Sequence, residues 1–211
     1  SCINMTQDKN NHYHHGDVPT ALMSAALVRI KQDGVEKLSL RALARDIGVS
    51  QTAPYRHFKD KRCLLVELAR SGFSELASRQ QQATPTEFNL KALIAVGMAY
   101  LEFAKEFPEQ YKLMFGTKIE NRCEHEGLMA SSMKSFEVIL NLAIKGVECG
   151  FLIDKDPGHL ARCLWSNVHG LASLLIDDFY SNLEVDLDDF LKQQIAFNIR
   201  GISKELVDLD Y

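Results

Sequence analysis

A chain of 211 residues that is 46% hydrophobic can bury a core in one large domain or two modest ones, and no apolar run in it approaches the roughly 18 residues needed to span a bilayer. The five cysteines (Cys2, Cys63, Cys123, Cys149, Cys163) are scattered and form no CxxC pair, which excludes a disulfide framework and fits a reducing compartment. The net charge of −4 is unevenly spread: residues 1–62 hold ten Lys/Arg against six Asp/Glu, a balance of +4, while residues 63–211 hold fourteen against twenty-two, a balance of −8. The N-terminal residues, rich in Asn, His and Asp, lack the apolar core of a secretory leader, so the expected location is cytoplasmic.

Residues 1–15 read as a polar arm. A first helix is expected from about Asp17 to Asp33, with Asp17 as N-cap, Pro19 in the first turn and Leu22, Ala26, Leu27 and Ile30 facing inward; Gly34 ends it. Leu40, Leu43, Ala44 and Ile47 then fall at i, i+3, i+4 and i+7, one apolar stripe on a helix that Ser39 is placed to cap. Gly48 breaks that helix, Val49 plugs the turn, and Ser50 is placed to cap a second helix from Gln51 to Phe58. That second helix carries Gln51, Thr52, Tyr55, Arg56 and His57, a row of hydrogen-bonding side chains with little apolar face to bury. Pro54 falls in its first turns and removes one backbone donor.

Asp60 precedes a long connecting helix with Leu64, Leu65, Leu68, Ala69 and Phe73 on one side, running to about Gln82. It fades into the polar stretch SRQQQATPTE, whose Pro85 is a candidate junction. Helical period dominates the remainder of the chain. Leu90 to Phe107 is stopped by Pro108, a short helix through Tyr111 and Met114 ends at Gly116, and another spans roughly Leu128 to Cys149. Two last helices cover about Pro157 to Tyr180 and Leu187 to Leu206. The expected fold is all-α: a three-helix helix-turn-helix head (1–62) joined by the connecting helix to a larger helical body (63–211).

Chemistry of other kinds finds little support. His12, His14 and His15, or Cys123 with His125, lack the closed four-ligand spacing of a zinc site, so no metal or other cofactor is expected. No nucleophile elbow or phosphate loop is present, and an enzyme is not expected. Trp165 and His169 stand four apart on one helical face continued by Ala172 and Ile176; this is either a packed core face or one polar contact in an effector pocket. Walls for such a pocket are sought among Tyr100, Phe103, Met114, Phe115, Met133 and Phe136, a set that also reads as ordinary core.

The stretch from YHHGD at 13–17 through LSLRALARDIGVSQTAPYRHFKDKRCLL at 38–65 resembles the TetR family of bacterial transcriptional regulators, above all in the turn GVS, the Y-x-H-F of 55–58 and Lys61. In the body, FPEQYKLMFG at 107–116 and the Trp165, His169 and Gly170 set resemble the C-terminal class of that family named for Trp, His and Gly. The resemblance implies a homodimer, joined through the last two helices, that binds a near-palindromic double-stranded operator and is released by a partly apolar small molecule. Carried over by position, Gln51, Thr52 and Ala53 would face base edges, where Gln suits adenine and a methyl suits thymine. Arg41 would reach guanine or phosphate, while Ser39, Tyr55, Arg56 and His57 would hold phosphates. Lys61, a cation at the start of a helix, would share a phosphate with that helix N-terminus. Gly170, Ala172 and Ser173 would allow close approach in the dimer, and Leu187, Leu191, Ile195 and Ile199 would supply its apolar ridge. The expected function is a ligand-responsive repressor, with an activator or a protein-partner adaptor on the same fold as the alternative.

Overall fold

The computed structural model describes residues 18–121 and 124–205. The sequence expectations placed on His12, His14, His15, Asp17 and Cys123 fall outside these. Among the described residues the regular structure is helical, apart from one isolated antiparallel bridge between Leu152 and Ser203. The chain divides into two compact units, one ending at Lys61 and the other beginning at Arg62. Pro85 lies inside the second unit, in a helix–helix connection.

The first unit is built on α1 (Val18–Asp33) and α2 (Leu40–Asp46). Leu22, Ala26 and Ile30 of α1 are buried against Leu40, Leu43 and Ala44 of α2, whereas Leu27 is only half-buried. The glycines that end the two helices have φ of 81° at Gly34 and 73° at Gly48, a region closed to most side chains. At the second of these, Val49 N–H returns to the Ala44 carbonyl at 2.9 Å and seals the helix end. Ser39 has extended N-cap geometry, but its side chain makes no capping bond; its carbonyl receives Leu43 N–H at 3.0 Å.

The expected second helix, Gln51 to Phe58, is not an α-helix. It is a short 3₁₀ turn, Ala53–Arg56, entered through turn residues at 51 and 52. Pro54 supplies no N–H and its ring restricts Ala53, so bonds three residues apart carry the turn, which closes with one four-residue bond from Phe58 N–H to Pro54 O at 2.9 Å. Ala53 N–H reaches Ser50 O at 3.0 Å, Tyr55 N–H reaches Thr52 O at 3.2 Å and His57 N–H reaches Pro54 O at 3.0 Å. The Ser50 hydroxyl pairs with the Thr52 hydroxyl at 3.2 Å and caps nothing.

In the second unit α3 (Lys61–Ala83) packs on α5 (Pro108–Phe115) and α6 (Glu126–Glu148). At the α3–α5 crossing, a side chain on Gly72 would stand 2.6 Å from Met114 Sδ, so the helices meet backbone to side chain. There the Gln110 amide donates to Leu68 O at 2.9 Å. Helix α4 (Leu90–Glu106) is buried on nearly all sides and is packed by α5, α7 (Pro157–Ile176) and α8 (Leu187–Arg200). Three of these helices start on side-chain caps: Asn89, Asp156 and Asp186 accept from Ala92, His159 and Asp189 N–H at 2.9, 2.8 and 2.9 Å. The last two helices stop short of their expected ends, α7 at Ile176 and α8 at Arg200. No described helix is long and apolar enough to cross a membrane.

Candidate nucleic-acid interface and ligand cavity

The 3₁₀ turn places the polar row on the outside of the first unit. Pro54 and Phe58 point inward, with Phe58 only 6% exposed, while Gln51, Thr52, Tyr55, Arg56 and His57 are exposed. Ala53 is half-buried beside them. Tyr55 is 48% exposed, too much for a residue whose role is packing, so its ring is available to a partner. Ser39 and Arg41, at the start of α2, are exposed as well. Behind this surface Arg29 of α1 clamps Asp46 at the end of α2, with Nη2 donating to Oδ1 at 2.8 Å. The Arg29 hydrogen bond holds the Asp46 carboxyl below its usual range, so the pair stays ionised.

Lys61 has a partner inside the unit. Its ammonium donates to the Glu36 carbonyl at 3.0 Å, tying the start of α3 to the turn after α1. An ammonium has three donors, so this bond uses one of them.

The body brings part of the expected pocket together. A cavity of about 310 Å³ is lined by Phe115, Met133, Phe136 and Trp165 from that set, joined by Phe73, Ser132, Ser135, Ile139 and Arg162. Phe136 and Trp165 meet edge to face with centroids 6.3 Å apart, and the Arg162 guanidinium lies 5.9 Å over the Phe136 ring. Tyr100, Phe103 and Met114 are at most 1% exposed and do not line this cavity; they are core behind it. His169 sits between the two groups. Its ring is 4.6 Å from that of Phe115 and 5.6 Å from that of Trp165, centroid to centroid.

A hydrogen-bond cluster explains the histidine. Tyr111 Oη and His169 Nδ1 are hydrogen-bonded at 2.7 Å, with the donor set by the imidazole tautomer. The Tyr100 hydroxyl is 3.1 Å from both Tyr111 Oη and His169 Nδ1. Burial pushes the Tyr100 phenol up to about 12 and raises Tyr111 as well, so both remain donors; burial lowers His169, so its ring stays neutral. The cluster carries no charge into the core.

Several cavity residues carry no signal of their own in the sequence. Phe73 reads as one more apolar position of the connecting helix. Gln80, fully buried behind Ser135, reads as part of a polar run. Its place is nonetheless encoded, since it stands four residues after Leu76 and three after Ala77, on the buried face of α3.

The ridge expected to join two copies is not available. Leu191, Ile195 and Ile199 are at most 2% exposed and pack inside the body; Gly97 lets Ile195 approach α4. Ala172 is buried too. What α7, α8 and their connection leave exposed is Leu174, Phe179, Leu183, Val185 and Phe197, with Gly170 open beside them.

Residues 22–68 match the family described as bacterial regulatory proteins, tetR family, and residues 93–197 match the tetracyclin repressor-like C-terminal domain. Among curated proteins, the uncharacterized HTH-type transcriptional regulator YobS of Bacillus subtilis (strain 168) is 25% identical over 179 residues, 85% of this chain and 87% of that one. The class A tetracycline repressor from transposon 1721 of Escherichia coli is 42% identical over 57 residues, 27% of this chain and 26% of its own. Among solved structures, a Rhodococcus sp. RHA1 protein of unknown function superposes with a TM-score of 0.79 at 26% identity, covering 92% of this chain and all of that one. The TetR family transcriptional regulator PfmR of Thermus thermophilus shares the fold, with a TM-score of 0.66 at 20% identity over 85% of this chain and 97% of that one.

Proposed function

Because this chain belongs to the TetR family and is thus a DNA-binding transcriptional regulator, we propose that it acts as a ligand-responsive repressor, a homodimer on a near-palindromic operator. The observation that carries the DNA half is the exposed row Gln51, Thr52, Tyr55, Arg56 and His57, standing on buried Pro54 and Phe58 in the positively charged part of the chain. Gln51, Thr52 and Ala53 read base edges; Tyr55, Arg56 and His57, with Ser39 and Arg41, grip the backbone around them. Lys61 adds a charge near a phosphate while its bond to Glu36 fixes the start of α3. In a two-fold dimer the two reading turns engage major grooves about one DNA turn apart, ~34–36 Å.

The effector half rests on the aromatic cavity. Phe73 of α3 lines it, and α3 runs back along the chain to Lys61, the last residue of the first unit. A ligand that binds better to one placement of α3 than to another shifts the population of head spacings, and DNA is released.

Selection of binding sites from random DNA, with fluorescence anisotropy against salt on the recovered sites, tests this reading. The expected result is one near-palindrome with a steep salt slope. Arg56→Ala should weaken binding on every sequence and reduce the slope by about 2, one for each head of the dimer. Gln51→Ala should cost about 1–3 kcal/mol per half-site and relax preference at one position of each half-site. Equal losses for Gln51→Ala on selected and random DNA would remove it from base reading, and a folded protein that enriches no sequence would sink the operator reading.

A further inference from the structure

A second, far smaller cavity lies next to the aromatic one and is lined by residues of α3, α4, α6, α7 and α8. Its free space is about 20 Å³, room for one water-sized group. Three of its lining residues each carry a buried side-chain atom without a hydrogen-bond partner: Gln80 Nε2, Asn167 Oδ1 and Asn198 Oδ1. Gln80 is 0% exposed. Buried polar atoms are satisfied in the great majority of cases, because an unmade bond forfeits the hydration lost on folding. One donor and two acceptors thus belong to residues that line a space of one-oxygen size. A single hydroxyl placed there would accept from the donor and give its one proton to one of the oxygens.

The two cavities are coupled. Ser135 lines the aromatic one, and its hydroxyl donates to Gln80 Oε1 at 2.8 Å; the other end of that amide belongs to the inner cavity. Ile139 is a wall of both. A ligand reaching from one cavity to the other would pass that one side chain.

We propose that the two cavities together bind an uncharged, largely apolar ligand carrying one hydroxyl. This rests on reading the aromatic cavity as the effector site. The ring or chain of the ligand lies against Phe73, Phe115, Phe136 and Trp165. Its hydroxyl passes Ile139, accepts from Gln80 Nε2–H and gives its single proton to Asn198 Oδ1. A carboxylate or phosphate is rejected at this end, since it would face two carbonyl oxygens with no proton to offer them. An ether is rejected for lack of a donor and for size.

Trp165 is the sole tryptophan of the chain and lines the aromatic cavity, so its emission reports on the site directly. The full-length protein would be titrated with three non-fluorescent probes: 4-tert-butylcyclohexanol, its methyl ether and 4-tert-butylcyclohexanecarboxylate. The alcohol should bind at least about tenfold more tightly than the other two, a difference of one good hydrogen bond to a buried partner. Asn198→Leu should bring alcohol and ether within about threefold. The same variant should raise the melting temperature of the ligand-free protein by about 2–4 °C, because it removes an unpaired oxygen. Gln80→Met is the second variant and should lose the same selectivity without relying on α8. Equal binding of alcohol and ether by the parent protein overturns the proposal and leaves the effector site standing, as does tightest binding of the carboxylate, which would point to Arg162 as the reader. No change in Trp165 emission with any probe overturns both.

Discussion

His169 shows how a single residue can look functional in the sequence and be given a definite chemical state by its neighbours. Four residues from Trp165, it offers either a core contact or a pocket contact. In the structure its ring packs on Phe115 and Trp165, two walls of the aromatic cavity, without lining that cavity, while Nδ1 is occupied by the tyrosine hydroxyls. Burial lowers its pKa from the ordinary 6.5, which ties it to stability. Between 6.5 and the lower folded value, the unfolded chain holds more protons than the folded one. Stability is therefore complete above about pH 6.5 and declines as pH falls through that window, levelling off below the folded pKa. His169→Gln cannot titrate, so the melting temperature of the parent should fall more steeply than that of the variant between about pH 7.5 and 5.5. Parallel curves would mean that the imidazole is as easily protonated in the folded protein as in the unfolded one.

At the scale of the element, the features legible in the sequence are those that depend on near neighbours in the chain. The stripe Leu40, Leu43, Ala44 specifies the buried face of α2, and Gly48 specifies its end, because both follow from helical spacing and a φ that only glycine adopts freely. The segment 51–58 departs from the expected α-helix because its hydrogen-bonding side chains say nothing of backbone geometry, whereas Pro54 decides the turn type. The apolar stripe of α8 is legible too, but its partner is not. Periodicity says that Leu191, Ile195 and Ile199 face something apolar, and leaves open whether that is a second copy or the chain's own α4. The answer lies at Gly97, where a Cβ would stand 2.9 Å from Ile195 Cδ1 and 3.3 Å from Val168 Cγ1. Gly97→Val should force α7 and α8 outward and cost about 1–3 kcal/mol, read as a lower urea midpoint at unchanged slope. A variant as stable as the parent would mean that these helices yield at little cost and that the close packing of α4 is not needed.

For the whole molecule the question is what covers the apolar surface that remains. Five large apolar side chains at 42–71% exposure, Leu174, Phe179, Leu183, Val185 and Phe197, lie between the last turn of α7 and the last turn of α8. Apolar surface gathered in this way marks an association site more often than isolated exposed residues do. A second copy of the same chain is the partner that fits the proposed operator, since one head on a half-site has neither the affinity nor the spacing information of two. A charge at Phe197 would be buried without a partner in such a contact, and in a two-fold arrangement it would be buried twice. Phe197→Glu should therefore convert a dimer into a single 23.8-kDa chain in light scattering at micromolar concentration, with its helical circular dichroism intact because Phe197 is 55% exposed within the chain. The same variant should lose the preference for a two-half-site operator over a single half-site, while keeping the salt dependence that each head contributes. If Phe197→Glu remains a dimer with undiminished operator binding, the contact between copies lies away from this surface, and the exposed apolar cluster between α7 and α8 must have another partner.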